Sequence, residues 1–396
     1  MLIAFLLPFN FGVAIVLVLS LTVFFFLGKL KTGLANFIHN KWAYLFLAFF
    51  LIHAICYFFS HNKAEAGTAI EIKLGFIAFP LLIFTQQYSR IDIRKVLRSF
   101  AIGTIVCSLF NIVRGVFYFI TENEIKYFFY SEFSFFMHPS YYAMYAVFSI
   151  VILSLFGFNY FKKSAFNVAI VVVASILLGV CIFMSSSKMG MLSLFVSLPV
   201  ILFYVLVKQK KFLLLGAILF TIASGLFFVL RSEFAPVQRL KNAFNFASSS
   251  EIIDKTTGES NAVRVLIWSE ASTLIKQHLL LGVTPGDAND ELYKAYEKEG
   301  MTGALEKHLN AHNQFLQTAI GTGLVGTLLL FLLTFGILIT GFIRKEMVMI
   351  LFGLIIILNF LVESMLQTQA GTLFFVFFAP LLLVNYQNVN KRYLKS

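Results

Sequence analysis

The amino-acid sequence predicts an all-α polytopic membrane protein with one large, partly helical loop outside the membrane. Three observations lead to this fold class: the composition, a series of apolar segments long enough to cross a bilayer, and an alternating distribution of Lys and Arg. Of the 396 residues, 59% are hydrophobic and 13% are charged. Soluble domains carry roughly 45–50% apolar and about 25% charged residues, so the composition excludes an ordinary soluble protein.

Eleven apolar segments approach or exceed the roughly 20 residues that a transmembrane helix needs. The first begins without the basic region typical of a signal peptide, so we interpret it as a span. It could instead be two short passes broken at Pro8 and Asn10, which leaves twelve spans as the alternative. The segments cover residues 3–28, 42–60, 68–87, 96–120, 138–158, 165–184, 187–207, 211–230, 312–342, 347–362 and 370–386.

These segments divide the chain into an N-terminal transmembrane bundle (1–230), a polar loop (231–311) and C-terminal transmembrane helices (312–396). Within the loop, apolar residues recur at helical spacing from Ala262 onward, and Gly282 is predicted to end that helix. A second short helix is predicted over 290–300. The first helix is too charged to span, so it should lie on the outer membrane surface or pack on the bundle.

Lys and Arg accumulate in alternate connections between the segments. Because such residues mark the cytoplasmic side, the loop is predicted to lie on the opposite, outer side. Acidic residues slightly outnumber basic ones in the loop, so the formal net charge of +12 resides elsewhere, chiefly on the cytoplasmic rim. This is a topology signal and argues against nucleic acid as a partner. The cations are Lys29, Lys31, Lys41, Arg90, Arg94, Lys95, Arg98, Lys162, Lys163, Lys208, Lys210, Lys211, Arg344, Lys345, Lys391, Arg392 and Lys395.

Seven ionisable residues lie near the outer ends of the predicted spans. Such groups are costly within a membrane and usually functional, so we expect a single polar site beneath the loop. The alternative is that each side chain only snorkels to the interface, and we accept that alternative for Lys73 and allow it for Glu71. The seven are Glu71, Lys73, Arg114, His138, Lys188, His312 and Glu363.

Several short segments around these residues resemble the O-antigen ligase and O-antigen polymerase superfamily. HNQFLQ from His312, followed by GTGLVG, resembles the segment that closes the outer loop in that family. Arg264 with Trp268, then HLLLGV, is similar to its upstream loop motif. SSSKMG carries Lys188 where the family usually has Arg. FLVESMLQTQAG with Glu363 and HPSYY from His138 resemble further family segments.

The resemblance implies a metal-independent, inverting glycosyltransferase of the GT-C-like, multi-span type that uses no cofactor. Its donor would be a glycan on undecaprenyl diphosphate, in a bacterial inner membrane with the active site on the periplasmic side. The acceptor would be lipid A-core for a ligase, a growing glycan for a polymerase, or Ser or Thr of a protein. His312 would be the base, with Arg264 and Lys188 holding the diphosphate.

Auxiliary roles remain for Glu363 and His138, which would orient the base or bind sugar, and for Arg114, the next cation to consider. Each assignment has a structural alternative: His312 could cap the following helix, and Glu363 could satisfy backbone groups at a broken helix end.

For the whole chain, the alternative function is a polysaccharide or lipid transporter or flippase. Such proteins are usually built from paired repeats, and no repeat is evident here. A non-catalytic scaffold is the third hypothesis.

Three other patterns carry no chemistry in our interpretation. Gly321, Gly323 and Gly326 match a dinucleotide-binding fingerprint, but they enter a predicted transmembrane helix, where small residues allow close packing. The acidic run beginning at Asp287 lacks the ligand spacing of a calcium loop. The cysteines, at positions 56, 107 and 181, are predicted to pack in apolar surroundings rather than to form a disulfide or bind metal.

Overall fold

The structure, a computed structural model, describes residues 1–10, 30–86, 88–157, 165–208, 255–256 and 261–384. These residues form sixteen α-helices with short 3-10 and π segments, and they contain no β-strand. The helices are α1 Leu2–Leu6, α2 Leu30–Ile38, α3 Lys41–Phe59, α4 Lys63–Lys73, α5 Gly75–Phe84, α6 Arg90–Glu122, α7 Tyr130–Phe133, α8 Pro139–Ile152, α9 Ala165–Met184, α10 Lys188–Lys208, α11 Asn261–Gln277, α12 Ala288–Glu299, α13 Thr302–Glu306, α14 Gln314–Arg344, α15 Met347–Phe360 and α16 Gln369–Leu383.

Six helical segments in the described part of the chain are long and apolar enough to cross a membrane. They cover 41–59, 63–84, 90–122, 139–156, 188–207 and 314–344. Three shorter apolar helices lie at 168–184, 347–360 and 369–383. These nine coincide with nine of the eleven predicted spans, as a polytopic membrane protein requires. The predicted span 211–230 and most of 3–28 lie outside the described residues, so the total of eleven or twelve stays a prediction.

α8 forms the centre of the bundle, because every one of its residues is buried. A helix that is apolar on all sides is one that other helices surround, and α6, α9, α10, α15 and α16 pack around it. Aromatic rings fill the contact: Phe148 lies 5.2 Å from the ring of Phe352 and 5.0 Å from that of Phe378. Some of the 49 Phe residues therefore pack in the core of the bundle.

α14 is broken at Gly323, where φ is 61° and ψ is −159°. The loop segment 279–283 pairs with the break: Leu324 N–H donates to the Leu279 carbonyl (2.9 Å), and Val283 N–H donates to the Ile320 carbonyl (2.8 Å). A Cβ at position 323 would lie 2.2 Å from the Leu280 carbonyl oxygen. Glycine is therefore required there both by the left-handed backbone and by the close approach of the loop.

Within the described residues, the loop has a small core of its own that joins α11, α12 and α13 to the first half of α14. Val263, Ile267, Leu292 and Tyr296 are buried there together with Ile320 of α14. The second loop helix, Ala288–Glu299, agrees with the segment predicted at 290–300. The first, Asn261–Gln277, packs on α14, which matches the bundle-packing alternative for it.

Asp287, buried at the start of α12, ties the loop to the connection between α3 and α4. Its carboxylate accepts from the backbone N–H of Asn62 (2.8 Å) and His61 (3.0 Å) and from the Thr284 hydroxyl (2.9 Å). Burial raises the pKa of this carboxyl, but these hydrogen bonds outweigh it and hold the pKa below its ordinary value. The acidic run is thus a structural anchor.

Candidate active site

Glu363 joins two of the predicted site residues. Its Oε1 lies 3.4 Å from Nη2 of Arg264, and its Oε2 lies 3.4 Å from Nδ1 of His312. The three side chains come from three parts of the chain: helix α11, the residue pair before α14, and the connection between α15 and α16. Each is partly exposed, with 30% of the Arg264 side chain, 23% of His312 and 16% of Glu363 accessible. The trio is therefore held in place yet open to a ligand.

Arg264 occupies the first turn of α11 and is aimed at the bundle by the packing of that helix. Val263 and Ile267 point into the loop core on one side. One turn after Arg264, the Trp268 indole N–H donates to the Ala311 carbonyl at 2.9 Å. The guanidinium also donates through Nη1 to the Val362 carbonyl at 2.9 Å. The predicted pairing of Arg264 with Trp268 thus has a physical basis, since the second residue docks the helix that carries the first.

His312 sits in a left-handed conformation, with φ of 44°. Its N–H donates to Asn310 Oδ1 at 2.9 Å. The residue that caps α14 is Asn313, whose Oδ1 accepts from the N–H of Phe315 and Leu316. The alternative in which His312 serves only as a helix cap is therefore wrong, because its imidazole is directed to Glu363 instead.

The connection 361–368 holds Glu363 through backbone hydrogen bonds to the surrounding helices. Asn313 Nδ2 donates to the Leu361 carbonyl at 3.0 Å, and Leu366 N–H donates to Gln314 Oε1 at 2.6 Å. The HNQ sequence therefore positions the carboxylate as well as the imidazole. The Glu363 carboxylate contacts the side chains of Arg264 and His312 rather than backbone groups of the described residues. The alternative in which it only satisfies backbone groups at a broken helix end is therefore wrong.

Lys73 is a further support of this connection, and the sequence reasoning missed it. Its side chain is only 1% exposed, and its ammonium donates to the Leu366 carbonyl at 2.6 Å. The snorkelling interpretation of Lys73 is therefore wrong. The only available signal was a cation just before the uninterrupted apolar run 74–84. Glu71, two residues earlier, is exposed.

The electrostatics of the site favour an ionised Glu363. Burial by itself raises the pKa of this carboxyl, but the hydrogen bond from His312 and the charges of Arg264, His312 and His138 outweigh burial, so the pKa lies below its ordinary value. At neutral pH the carboxylate is therefore available as a counter-charge to both neighbours.

His138 lies beside the trio, at the N-cap of α8. Ser140 N–H donates to its Nδ1 at 3.4 Å, and its ring packs edge-on against those of Tyr130 and Tyr141. Burial lowers the pKa of His138; the Glu363 carboxylate acts in the opposite direction and His312 in the same one. The net effect keeps this imidazole neutral near pH 7, which suits a hydrogen-bonding role better than that of a fixed cation.

Lys188 does not touch the trio but lies at the same end of the bundle. It is the exposed first residue of α10. Five residues after Lys188, the Ser193 hydroxyl accepts a hydrogen bond from Asn359 Nδ2 at 3.1 Å. Asn359 is near the end of α15, four residues before Glu363. That contact brings the start of α10 and the end of α15 to one side.

Arg114 has a local role in the described structure. Its guanidinium pairs with Glu132 at 3.7 Å and lies over the rings of Tyr118, Tyr127 and Phe135 at 5.3, 5.0 and 4.6 Å. It therefore fastens the connection between α6 and α8, which carries His138 at its end. His308, four residues before His312, is exposed, and its ring packs against that of Tyr293.

Comparison with known proteins gives a family match over part of the chain. The family described as O-antigen ligase matches residues 173–331, a segment that contains Lys188, Arg264 and His312. Glu363, His138 and Arg114 lie outside the matched segment. A search of curated proteins finds no relative. This partial match supports the resemblance to the O-antigen ligase and polymerase superfamily, and the apolar helices indicate a multi-pass membrane protein.

Proposed function

We propose that this protein transfers a glycan from undecaprenyl diphosphate to an acceptor hydroxyl at the periplasmic face of the inner membrane, with inversion and without a metal ion. The observation that carries the proposal is the contact of Glu363 with both His312 and Arg264. It joins a base, the counter-charge that the protonated base needs, and a cation that suits a diphosphate.

His312 is the proposed general base. The contact with Glu363 uses Nδ1, so the neutral tautomer with its proton on Nδ1 leaves Nε2 to accept the proton of the acceptor hydroxyl. As the acceptor oxygen attacks the anomeric carbon, that proton moves to Nε2 and the carbon–oxygen bond to the diphosphate breaks. The ionised Glu363 stabilises the imidazolium that results.

Arg264 is the proposed cation for the leaving diphosphate, whose negative charge grows as the bond breaks. Two of its donors are occupied by the Val362 carbonyl and by Glu363, and the partly exposed remainder of the planar group can meet phosphate oxygens. Lys188, at the same end of the bundle, would add a second positive charge. Undecaprenyl diphosphate is a membrane lipid, so a site at one end of a transmembrane bundle is where its head group would lie.

The test is a transfer assay with purified protein in lipid vesicles, lipid-linked donor and, in separate reactions, lipid A-core, a second lipid-linked glycan or a Ser/Thr-containing peptide. Nucleotide and ion gradients are left out. We expect a gel shift of one acceptor, which identifies the ligase, polymerase or protein-modifying activity. Donor movement across the vesicle membrane without any product would instead support the transporter hypothesis and overturn the proposal.

Metal independence rests on the basic character of the site. Arg264 and Lys188 are the proposed counter-charges to the diphosphate, in place of a metal ion bridged by carboxylates. The transfer rate should therefore stay nearly unchanged in EDTA. A steep loss of rate that magnesium restores would contradict this part of the mechanism.

A topology reporter fused at Glu297 should read as periplasmic, and a cytoplasmic signal would overturn the proposed orientation of the loop.

A further inference from the structure

Three consecutive leucines, residues 279–281, project from the loop at the point where it meets the break in α14. Two of them, Leu280 and Leu281, are 67% exposed, and Leu279 is 46% exposed. An apolar patch of this kind on a water-facing loop would be unfavourable, and such patches mark surfaces that contact another apolar phase. We call residues 279–281 the leucine tongue.

The surface of α14 changes character at the tongue. From Gln314 to Gly323 this helix has no exposed residue, because the loop and the bundle enclose it. From Leu324 onward an exposed stripe runs along the helix, and every member is apolar. The stripe comprises Leu324, Val325, Leu328, Phe331, Leu332, Phe335, Ile339, Phe342 and Ile343.

The length of this stripe matches the apolar thickness of a membrane. From Leu324 to Ile343 a helix rises about 29 Å at 1.5 Å per residue, and the hydrocarbon core of a bilayer is about 30 Å thick. Leu324 therefore marks the loop-side edge of the hydrocarbon. Since the Leu324 N–H donates to the Leu279 carbonyl, the tongue lies at that same edge.

The backbone at the tongue is suited to an apolar environment. Non-helical backbone at membrane depth is tolerated only where its polar groups find partners. The carbonyls of Leu279 and Leu280 accept from the N–H groups of Leu324 and Val325, at 2.9 and 3.5 Å. Just before the tongue, Lys276 and His278 are exposed polar side chains that can reach the head groups.

We propose that the leucine tongue is inserted among the acyl chains of the membrane. The loop would then be anchored in one leaflet beside α14. The tongue then fixes the depth in the membrane of α11, the helix that carries Arg264 in its first turn and ends at Gln277, two residues before Leu279. The proposal concerns placement in the bilayer and does not depend on the reaction that the site performs.

The test is a fluorescence measurement on the full-length protein in vesicles of phosphatidylethanolamine and phosphatidylglycerol. The three native cysteines are buried and are replaced by Ala. A single Leu280→Cys variant is labelled with an environment-sensitive nitrobenzoxadiazole dye. Two controls bracket it: Glu297→Cys on the exposed face of α12, and Leu328→Cys on the apolar stripe.

We expect the dye at position 280 to match the one at 328. Its emission should shift to the blue, brominated acyl chains should quench it strongly, and aqueous iodide should quench it weakly. A dye at 280 that behaves like the one at 297 would overturn the proposal. A blue-shifted emission that brominated lipid does not quench would also overturn it, because it would indicate burial against protein, such as a second copy of this chain.

A second measurement uses the unsubstituted protein, so that a folding defect in the cysteine variants cannot decide the outcome. Phospholipids with a diazirine in the acyl chain are photolysed in the vesicles, and the labelled peptides are mapped by mass spectrometry. Labels on 279–281 together with the α14 stripe support insertion. Labels on the stripe with none on the tongue contradict it.

Discussion

Replacement of Glu363 by Gln tests the role of the bridging carboxylate. The substitution keeps the size of the side chain but removes the charge that faces His312 and Arg264, each at 3.4 Å. A hydrogen bond to a charged group is worth about 1.5–3 kcal/mol. Because 3.4 Å is near the outer limit of such bonds, we take the lower end. A loss of about 1.5 kcal/mol corresponds to a roughly tenfold slower reaction.

The assay is the rate of glycan transfer in vesicles at saturating donor, for the native protein, Glu363→Gln, His312→Ala and the double variant. If Glu363 acts through the base, its removal should cost about tenfold in the native background but almost nothing once His312 is absent. If the double variant were a further tenfold slower than His312→Ala alone, the coupling would be refuted. Near-native activity of Glu363→Gln alone would also refute it. Equal amounts of folded protein in the membrane are the control.

Further substitutions at three positions test the surroundings of the trio and the anchoring of the loop. If Lys188 contacts the diphosphate, Lys188→Met should lower the transfer rate about tenfold to a hundredfold while Lys188→Arg retains it; normal transfer by the Met variant would remove Lys188 from the site. Trp268→Phe deletes the donor to the Ala311 carbonyl and should cost about 0.5–1.5 kcal/mol of stability, seen as faster proteolysis within 261–311; unchanged proteolysis would contradict the docking role. The pKa of Asp287 in the folded protein is below its ordinary value. Its carboxylate therefore stabilises the fold at pH values above the unfolded pKa of about 3.9. This stabilisation is lost as the pH falls through the folded-state pKa. Asp287→Asn should therefore speed hydrogen exchange of 284–300 at pH 7 and make little difference under strongly acidic conditions; equal effects at both pH values would contradict this.

Hydropathy and charge were sufficient to predict the nine apolar helices that the structure describes, because the cost of unpaired backbone in lipid leaves few alternatives. Of the residues that the sequence assigns to one site, Arg264, His312 and Glu363 are in contact. Lys188 shares their end of the bundle without touching them. Arg114 instead pairs with Glu132.

Other features depend on backbone conformation, which hydropathy does not report. Close helix packing, which the sequence predicts for the glycines at 321, 323 and 326, does not describe Gly323, which breaks α14 so that the loop can pair with it. Hydropathy predicts Lys73 at the membrane interface, but its ammonium donates to the Leu366 carbonyl, 293 positions later in the chain. Local sequence patterns could not identify the loop as the partner of α14 or Leu366 as the partner of Lys73, because each contact joins segments far apart in sequence.

The most direct test of the proposed site is the transfer rate of His312→Ala beside that of His308→Ala. The two histidines lie four residues apart, but only His312 faces Glu363, while His308 packs against Tyr293 on the loop surface. A positioned general base contributes about a hundredfold to ten-thousandfold. We therefore predict a loss of that size for His312→Ala and near-native transfer for His308→Ala, at equal membrane levels. An active His312→Ala variant, or equal losses in both, would contradict the assignment of His312 as the base.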